Sequence, residues 1–153
     1  MAYEADKEYL KELRLFSAHH RHSVNALIHV ISIAMEWYGW NLLLVSQSLL
    51  LGLVLTVLVV YFVYLSNTSS SLIAGSLHML LLIGAHLTSV KQPMHAILLC
   101  GGIQVSSWFA QVVIGHFLLE NNNPSMTKRL SVQSVVWSLC LAVDNSLSLD
   151  KKA

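Results

Sequence analysis

The stretch LLLGLVLTVLVVYFVYL, residues 49–65, decides the fold class of this chain. It carries no charged residue and is rich in Leu and Val. With the apolar residues before it, it forms an uncharged segment from Leu42 to Leu65, longer than the ~20 residues that a helix needs to cross a bilayer. The segment predicts a transmembrane helix, and therefore a membrane protein built from helices.

The composition agrees with a lipid environment. Of 153 residues, 55% are hydrophobic and 11% are charged, whereas soluble domains carry roughly 25% charged residues. The net charge of +1 gives no basic stripe for nucleic acid, so we expect a lipid bilayer and no nucleic acid as partner. Cys100 and Cys140 lie in apolar runs, which predicts two buried thiols rather than a disulfide framework.

Three further apolar segments complete the predicted bundle: Val24–Trp40, Leu72–Val90 and His95–Leu119. The stretch Val132–Val143 is too short to span and is predicted to be a re-entrant or interfacial helix. The fold class is therefore all-α, a multi-pass transmembrane helix bundle with about four spans.

We expect a single domain over residues 1–153. Residues 1–22 form a cytosolic or interfacial segment without the apolar core of a signal peptide, residues 24–143 are embedded in the membrane, and residues 144–153 form a polar tail. The positive-inside rule places both termini in the cytosol. The far side then holds only Lys91, whereas the cytosolic segments carry Lys11, Arg14, Arg21, Lys128 and Arg129.

The segment EWYGWN, residues 36–41, is predicted to end the first span at the membrane surface. Its aromatic residues are of the kind that lie at headgroup level, and Glu36 is tolerable there. Gly39 and Asn41 would allow a tight reversal into the second span.

A second stretch, WFAQVVIGHFLLENNNP at residues 108–124, carries the candidate chemistry. His116 and Glu120 are four residues apart and share one helical face. They lie where an apolar span meets water, and polar groups there are costly and usually functional.

Other histidines are expected at the same depth, near the cytosolic surface. His78 lies about six residues into the third span, roughly 9 Å along a helix, whereas His86 and His95 lie toward the opposite surface. The candidate metal ligands that can share this depth are therefore His20, His22, His29, His116 and His78.

Helical spacing suggests how these ligands are supported. His22, Asn25 and His29 form one stripe, and His20 is out of phase unless Ser23 caps the helix and the preceding residues fold back. In the last span, Gln111 lies about 140° from His116 on an ideal α-helix. A bulge near Gly115 would align them, and such bulges favour functional sites.

The residue types restrict the metal. Several neutral imidazoles with few carboxylates suit Fe, Zn, Cu or Ni better than Mg or Ca. With Fe(II), an open coordination position can take O₂ and an oxygen-bearing substrate. We expect Asn25, Gln111 and Glu120 to act as supports that orient the rings or take part in catalysis.

Two blocks of the sequence are HRHSVNALIH at residues 20–29 and WFAQVVIGHFLLENNNP at residues 108–124. Together they resemble the Mpo-like family of small multi-pass membrane proteins. The chain departs from the family pattern at His19, where the family has Tyr, at Val112, where it has Phe, and at Ser125, where it has Ala. The positions that match in order and spacing are His20, Asn25, His29, Trp108, Gln111, Gly115, His116, Glu120 and Pro124.

The resemblance implies an Fe(II)-dependent dioxygenase of the endoplasmic reticulum membrane. On its matched positions, His20, His29 and His116 rank first as metal ligands, with His22 and His78 as substitutes. Such an enzyme uses O₂ to shorten a long-chain 2-hydroxy fatty acid by one carbon, the α-oxidation that breaks down phytosphingosine. Two alternatives stay open. One is a di-iron lipid hydroxylase or desaturase, although only AHHRH, residues 18–22, approaches the clustered histidine boxes of that class. The other is a non-catalytic membrane scaffold or lipid-binding protein. Oligomeric state also stays open, a homo-oligomer included.

Overall fold

The computed structural model describes residues 2–65, 71–91, 95–123 and 135–150. In this part of the chain every regular element is helical, which confirms the all-α class. The predictions for the linker at 124–134, including Pro124, Lys128 and Arg129, lie outside the described residues. The helices are α1 (Ala2–His19), α2 (Ser23–Gln47), α3 (Leu49–Leu65), α4 (Ser71–Lys91), α5 (Ala96–Glu120) and α6 (Ser138–Asp150).

Three of these helices, α2, α4 and α5, are long and apolar enough to cross a membrane. Their outward faces carry exposed large apolar side chains such as Leu98 and Val105 of α5, as expected where lipid rather than water surrounds the bundle. The apolar helix α3 also lies against the bundle but is shorter, with 17 residues. Together the helices form the predicted membrane bundle.

Helix α2 is the centre of the bundle, and it runs through the predicted reversal at residues 39–41. That prediction is wrong because both residues serve packing. The side chain of Asn41 donates to the carbonyl of Trp37 at 3.1 Å and accepts from Thr56 Oγ1 at 3.1 Å. Gly39 allows α5 to approach, since a Cβ there would lie 2.8 Å from Gln104 Nε2. The helix predicted as the second span therefore starts at Leu49 rather than Leu42, and its 17 residues make it shorter than the three helices that are long enough to cross a membrane.

The aromatic residues of the segment 36–41 do not mark the membrane surface, because they lie in the middle of α2. Trp37 is buried, and its ring meets that of His78 with centroids 5.0 Å apart. Tyr38 shares a hydrogen bond of 2.7 Å with Thr88 on α4. Trp40 is exposed on the lipid-facing side.

The predicted polar tail at 144–153 is helical in its first part, since α6 continues to Asp150, and residues 151–153 lie outside the described residues. Its residues Leu139, Cys140 and Leu141 are buried in the main core, so the helix is packed against the bundle rather than lying free at the interface. Tyr9 of α1 donates to Asp144 Oδ2 at 2.6 Å, and burial, together with Cys140 and Asp144, raises the pKa of Tyr9 well above its usual range. Both cysteines are buried and neither is in a disulfide within the described residues, as predicted.

Candidate metal centre

Three histidines from distant parts of the chain meet at one end of the bundle. His20 lies in the short connection between α1 and α2, His29 lies in the second turn of α2, and His116 lies in the last turns of α5. Their ring centroids are 4.1 Å (His20–His29), 4.7 Å (His20–His116) and 5.0 Å (His29–His116) apart. The structure thus brings together the three ligands that the sequence ranked first.

The ring nitrogens are close enough for one metal ion. One ligand atom from each histidine lies within 4.8 Å of the other two. Ligand atoms of a shared ion with bonds of ~2.1 Å lie roughly 3 to 4 Å apart, so small side-chain adjustments would close the site. Among the histidine, cysteine and carboxylate side chains of the described residues, these three histidines form the one group close enough to hold a metal ion.

Backbone carbonyls set the tautomers of two of the rings. His20 Nδ1 lies 2.6 Å from the carbonyl oxygen of Phe16, and His29 Nδ1 lies 3.1 Å from that of Asn25. A carbonyl only accepts, so both Nδ1 atoms carry the proton and each Nε2 keeps its lone pair. The sequence suggested that the Asn25 amide fixes a ring, but it is the Asn25 backbone that does so.

Two nitrogens of the cluster have no protein partner. His20 Nε2 and His116 Nδ1 are buried and make no hydrogen bond within the described part of the chain. An unpaired buried polar atom costs about 1–3 kcal/mol, and native proteins rarely keep two side by side. A bound metal ion would give each of these neutral imidazole nitrogens a partner.

The electrostatic environment keeps His20 in the ligand form. Burial, followed by the neighbouring His29, lowers the pKa of His20 to about 2, against the opposing effect of the hydrogen bond to Phe16. His20 is therefore neutral at physiological pH, which is the state that binds metal.

Phe16 forms a wall of the cluster that the sequence did not single out. Its ring stacks on His20 with centroids 3.7 Å apart and meets His29 edge-on at 5.9 Å. Phe16 belongs to α1, so this helix, expected only to lie at the interface, contributes directly to the site. In the sequence, Phe16 is one of several apolar residues of α1, and nothing there distinguishes it from a residue that only packs.

The end of α5 is a π-helix, from Ala110 to Glu120. The predicted bulge near Gly115 is confirmed and extends over eleven residues. Because a π-helix bonds residue i to i+5, it changes the face on which His116 emerges. Gly115 allows the close approach of α2, since a Cβ at Gly115 would collide with Asn25 Oδ1 and lie 3.3 Å from His29 Cε1.

Glu120 ties the end of α5 to the start of α2. Its Oε1 accepts from the backbone N–H of His22 at 2.7 Å and from Asn25 Nδ2 at 3.1 Å. The carboxylate therefore holds two parts of the loop and helix that carry His20 and His29. Both Glu120 and Asn25 lie where the sequence expected them, as supports of the cluster.

His22 and His78, the substitute ligands, lie elsewhere. His22 is exposed and is the N-cap of α2, where its Nδ1 accepts from the N–H of Val24 at 3.2 Å. Ser23, the expected cap, is the first helical residue. His78 packs on Trp37, which lies eight residues, about 12 Å, along α2 from His29.

Gln111 supports a different residue from the one expected. Its Nε2 lies 2.5 Å from Glu36 Oε1 and 3.4 Å from the carbonyl of Ser107. In the described residues it makes no hydrogen bond to the three histidines. Gln111 therefore lies beside Glu36 of α2 and not in hydrogen-bond contact with His116.

Asn145 of α6 holds the backbone at the cluster. It is 1% exposed, and its Nδ2 donates to the carbonyl of His20 at 3.0 Å. The sequence pattern predicted a polar tail at this position, and the contact with His20 was therefore missed.

We expect Asn145→Ala to destabilise the protein by about 1–3 kcal/mol, since the His20 carbonyl would stay buried without its donor. Thermal unfolding in detergent, followed by circular dichroism, measures this. The matched control is Asn122→Ala, an exposed site; equal stability of the two variants would contradict the role of Asn145.

We expect Glu120→Ala to weaken metal binding by about 10–100-fold, the usual effect of removing a group that orients ligands. Glu120→Gln keeps an acceptor oxygen and should recover part of the affinity. Competition with a metal-sensitive dye measures both, with Glu8→Ala at the exposed Glu8–Lys11 ion pair as the control. Unchanged affinity in Glu120→Ala would show that the carboxylate does not support the site.

No family model, curated protein or solved structure matches this chain.

Proposed function

We propose that the chain is an Fe(II)-dependent membrane dioxygenase that shortens long-chain 2-hydroxy fatty acids by one carbon. The observation that carries the proposal is the buried cluster of His20, His29 and His116 at one end of an apolar bundle. The sequence resemblance supplies the substrate class and the location in the endoplasmic reticulum membrane. The distribution of basic residues supports cytosolic termini.

The donor set suits this chemistry. Three neutral imidazoles bind a first-row transition metal and leave further coordination positions for other ligands. Iron, when bound, would mediate the transfer of electrons from the hydroxy acid to O₂. The overall change balances without an added reductant: R–CH(OH)–COOH and O₂ give R–COOH, CO₂ and H₂O. The bond between C1 and C2 breaks, C2 is oxidised to a carboxyl group, and O₂ is reduced.

The surroundings of the cluster suit a lipid with a polar head. Toward the helix ends lie polar residues, with Glu120 and the exposed Arg21 and Asn121 near the connection between α1 and α2. The apolar bundle extends away from the cluster in the other direction. A 2-hydroxy acid can therefore place its head at the histidines and its acyl chain along the helices, with Arg21 available to the carboxylate.

The single cluster favours this function over a di-iron lipid hydroxylase or desaturase. A di-iron enzyme needs ligands for two ions, whereas the described residues contain one group of three candidate side chains. A non-catalytic scaffold does not require three buried histidines from distant parts of the chain to meet within ligand-atom distances of 4.8 Å.

The test uses the purified full chain loaded with Fe(II) without oxygen. After O₂ is admitted, we expect a saturated 2-hydroxy acid to disappear while equal amounts of the acid one carbon shorter and of CO₂ form. The unhydroxylated and 3-hydroxy acids of the same length are the matched controls and should be unchanged. Protein that holds one iron per chain and yields no shortened acid would overturn the proposed function.

A further inference from the structure

A carboxyl group lies in the middle of the membrane-spanning part of α2. Glu36 is thirteen residues from the start of the helix at Ser23, about 20 Å, and eleven residues from its end at Gln47, about 16 Å. The hydrocarbon core of a bilayer is about 30 Å thick, so neither end of α2 brings Glu36 to the surface. An ionisable residue at this depth is costly and usually functional.

Two glutamines of α5 converge on Glu36. Gln111 Nε2 lies 2.5 Å from Glu36 Oε1, and Gln104 Nε2 donates to the Glu36 backbone carbonyl at 2.9 Å. Gly39 makes room for Gln104 because it has no side chain in its path. Two polar side chains of α5 therefore bond the same residue of α2. A polar residue without a role would not need two such partners.

The partners of the Glu36 carboxyl are neutral. In the part of the chain that the structure describes, no Lys or Arg forms an ion pair with it. The titratable side chains on the helices around α2 are engaged or placed elsewhere. These include His78 against Trp37, Cys100 beside Gly39, Glu120 at the start of α2, Asp144 on Tyr9, and the exposed Tyr61 and Tyr64.

The contact with Gln111 supports a neutral carboxyl group. Gln111 Nε2 donates to Glu36 Oε1 at 2.5 Å, and a neutral amide supplies no charge that would balance a carboxylate. A charge kept away from water without a counter-ion is costly, so a group in such a place takes up a proton.

We propose that Glu36 is a proton-binding site in the membrane, a neutral carboxylic acid that lipid-soluble reagents can reach between α2 and α5. It is half-buried, and its neighbours Met35 and Trp40 are exposed to the lipid side. The site takes a proton at rest and accepts an apolar carbodiimide. The acid O–H adds across one C=N bond, oxygen to carbon and proton to nitrogen, and acyl transfer to nitrogen then gives a stable N-acylurea with no leaving group.

The test uses the full chain in phosphatidylcholine vesicles at neutral pH. Dicyclohexylcarbodiimide should attach to the peptide that contains Glu36, as seen by mass spectrometry, whereas a water-soluble carbodiimide should not. Glu36→Gln should lose the adduct, and the control Glu8→Gln, at an exposed residue of α1, should keep it.

Infrared spectroscopy gives the second readout. The C=O stretching band of a protonated carboxylic acid should be present in the native chain and missing from Glu36→Gln. Metal content at the histidine cluster checks that the variant folds, because Gln at position 36 can still bond Gln111. Absence of either the adduct or the band in the native protein overturns the proposal. The outcome does not depend on the proposed dioxygenase activity.

Discussion

His116→Ala is expected to remove the bound metal and to lower turnover of a 2-hydroxy fatty acid by more than about 100-fold. Groups that only orient a ligand cost 10–100-fold when removed, and His116 is one of three side chains that would hold the ion itself. Loss of the imidazole leaves two ligands and opens a cavity beside the unpaired His20 Nε2.

The matched control for this variant is His95→Ala. His95 immediately precedes the same helix at its other end, is exposed, and makes no side-chain capping bond. Metal content by elemental analysis and turnover by product quantification are measured for both variants. If His116→Ala keeps its metal and its turnover, the cluster is not the active site.

Gly115→Ala is expected to weaken metal binding nearly as much as His116→Ala does, although it removes no ligand. The added methyl group would overlap Asn25 Oδ1 and crowd the His29 ring, and both side chains lie in a packed interface between α2 and α5. Because overpacking forces backbone shifts that cost about 1–3 kcal/mol, the geometry of the three rings should change and metal affinity should fall.

The chain offers two controls on the same helix. At Gly101 and Gly102 an added Cβ would meet no atom within 4 Å, so Gly101→Ala and Gly102→Ala add the same methyl group where space is open. All three variants lose the same backbone freedom, so a difference in metal affinity and thermal stability isolates the contact at Gly115. Equal behaviour of the three would show that α2 and α5 do not approach closely at the cluster.

The sequence predicted the fold class and the three ligands for identifiable reasons. A long uncharged run in lipid forms a helix, because a helix pairs all of its backbone polar groups internally. His20, His29 and His116 were expected at a common depth because their spans run in opposite directions between short connections. The bulge near Gly115 was inferred from helical phase, and a π-helix from Ala110 to Glu120 is present there, although Gln111 bonds Glu36 rather than a histidine.

Other features depended on packing between distant residues and could not be predicted in this way. Gly39 and Asn41 are residue types that favour turns, yet here Gly39 lets α5 approach and Asn41 bonds Thr56. The first span was predicted to end at Trp40, whereas α2 continues to Gln47. Glu36 was therefore expected at the membrane surface, although it lies in the middle of α2. Phe16 and Asn145 contact His20 only because α1 and α6 fold back onto the bundle.

X-ray absorption spectroscopy at the metal edge of the purified, metal-loaded chain tests the central claim most directly. If His20, His29 and His116 bind one ion, the spectrum will show outer-shell scattering from three imidazole rings, with the remaining positions filled by oxygen and no neighbouring metal. Scattering from fewer than two imidazoles, from sulfur, or from a second metal ion would contradict the account.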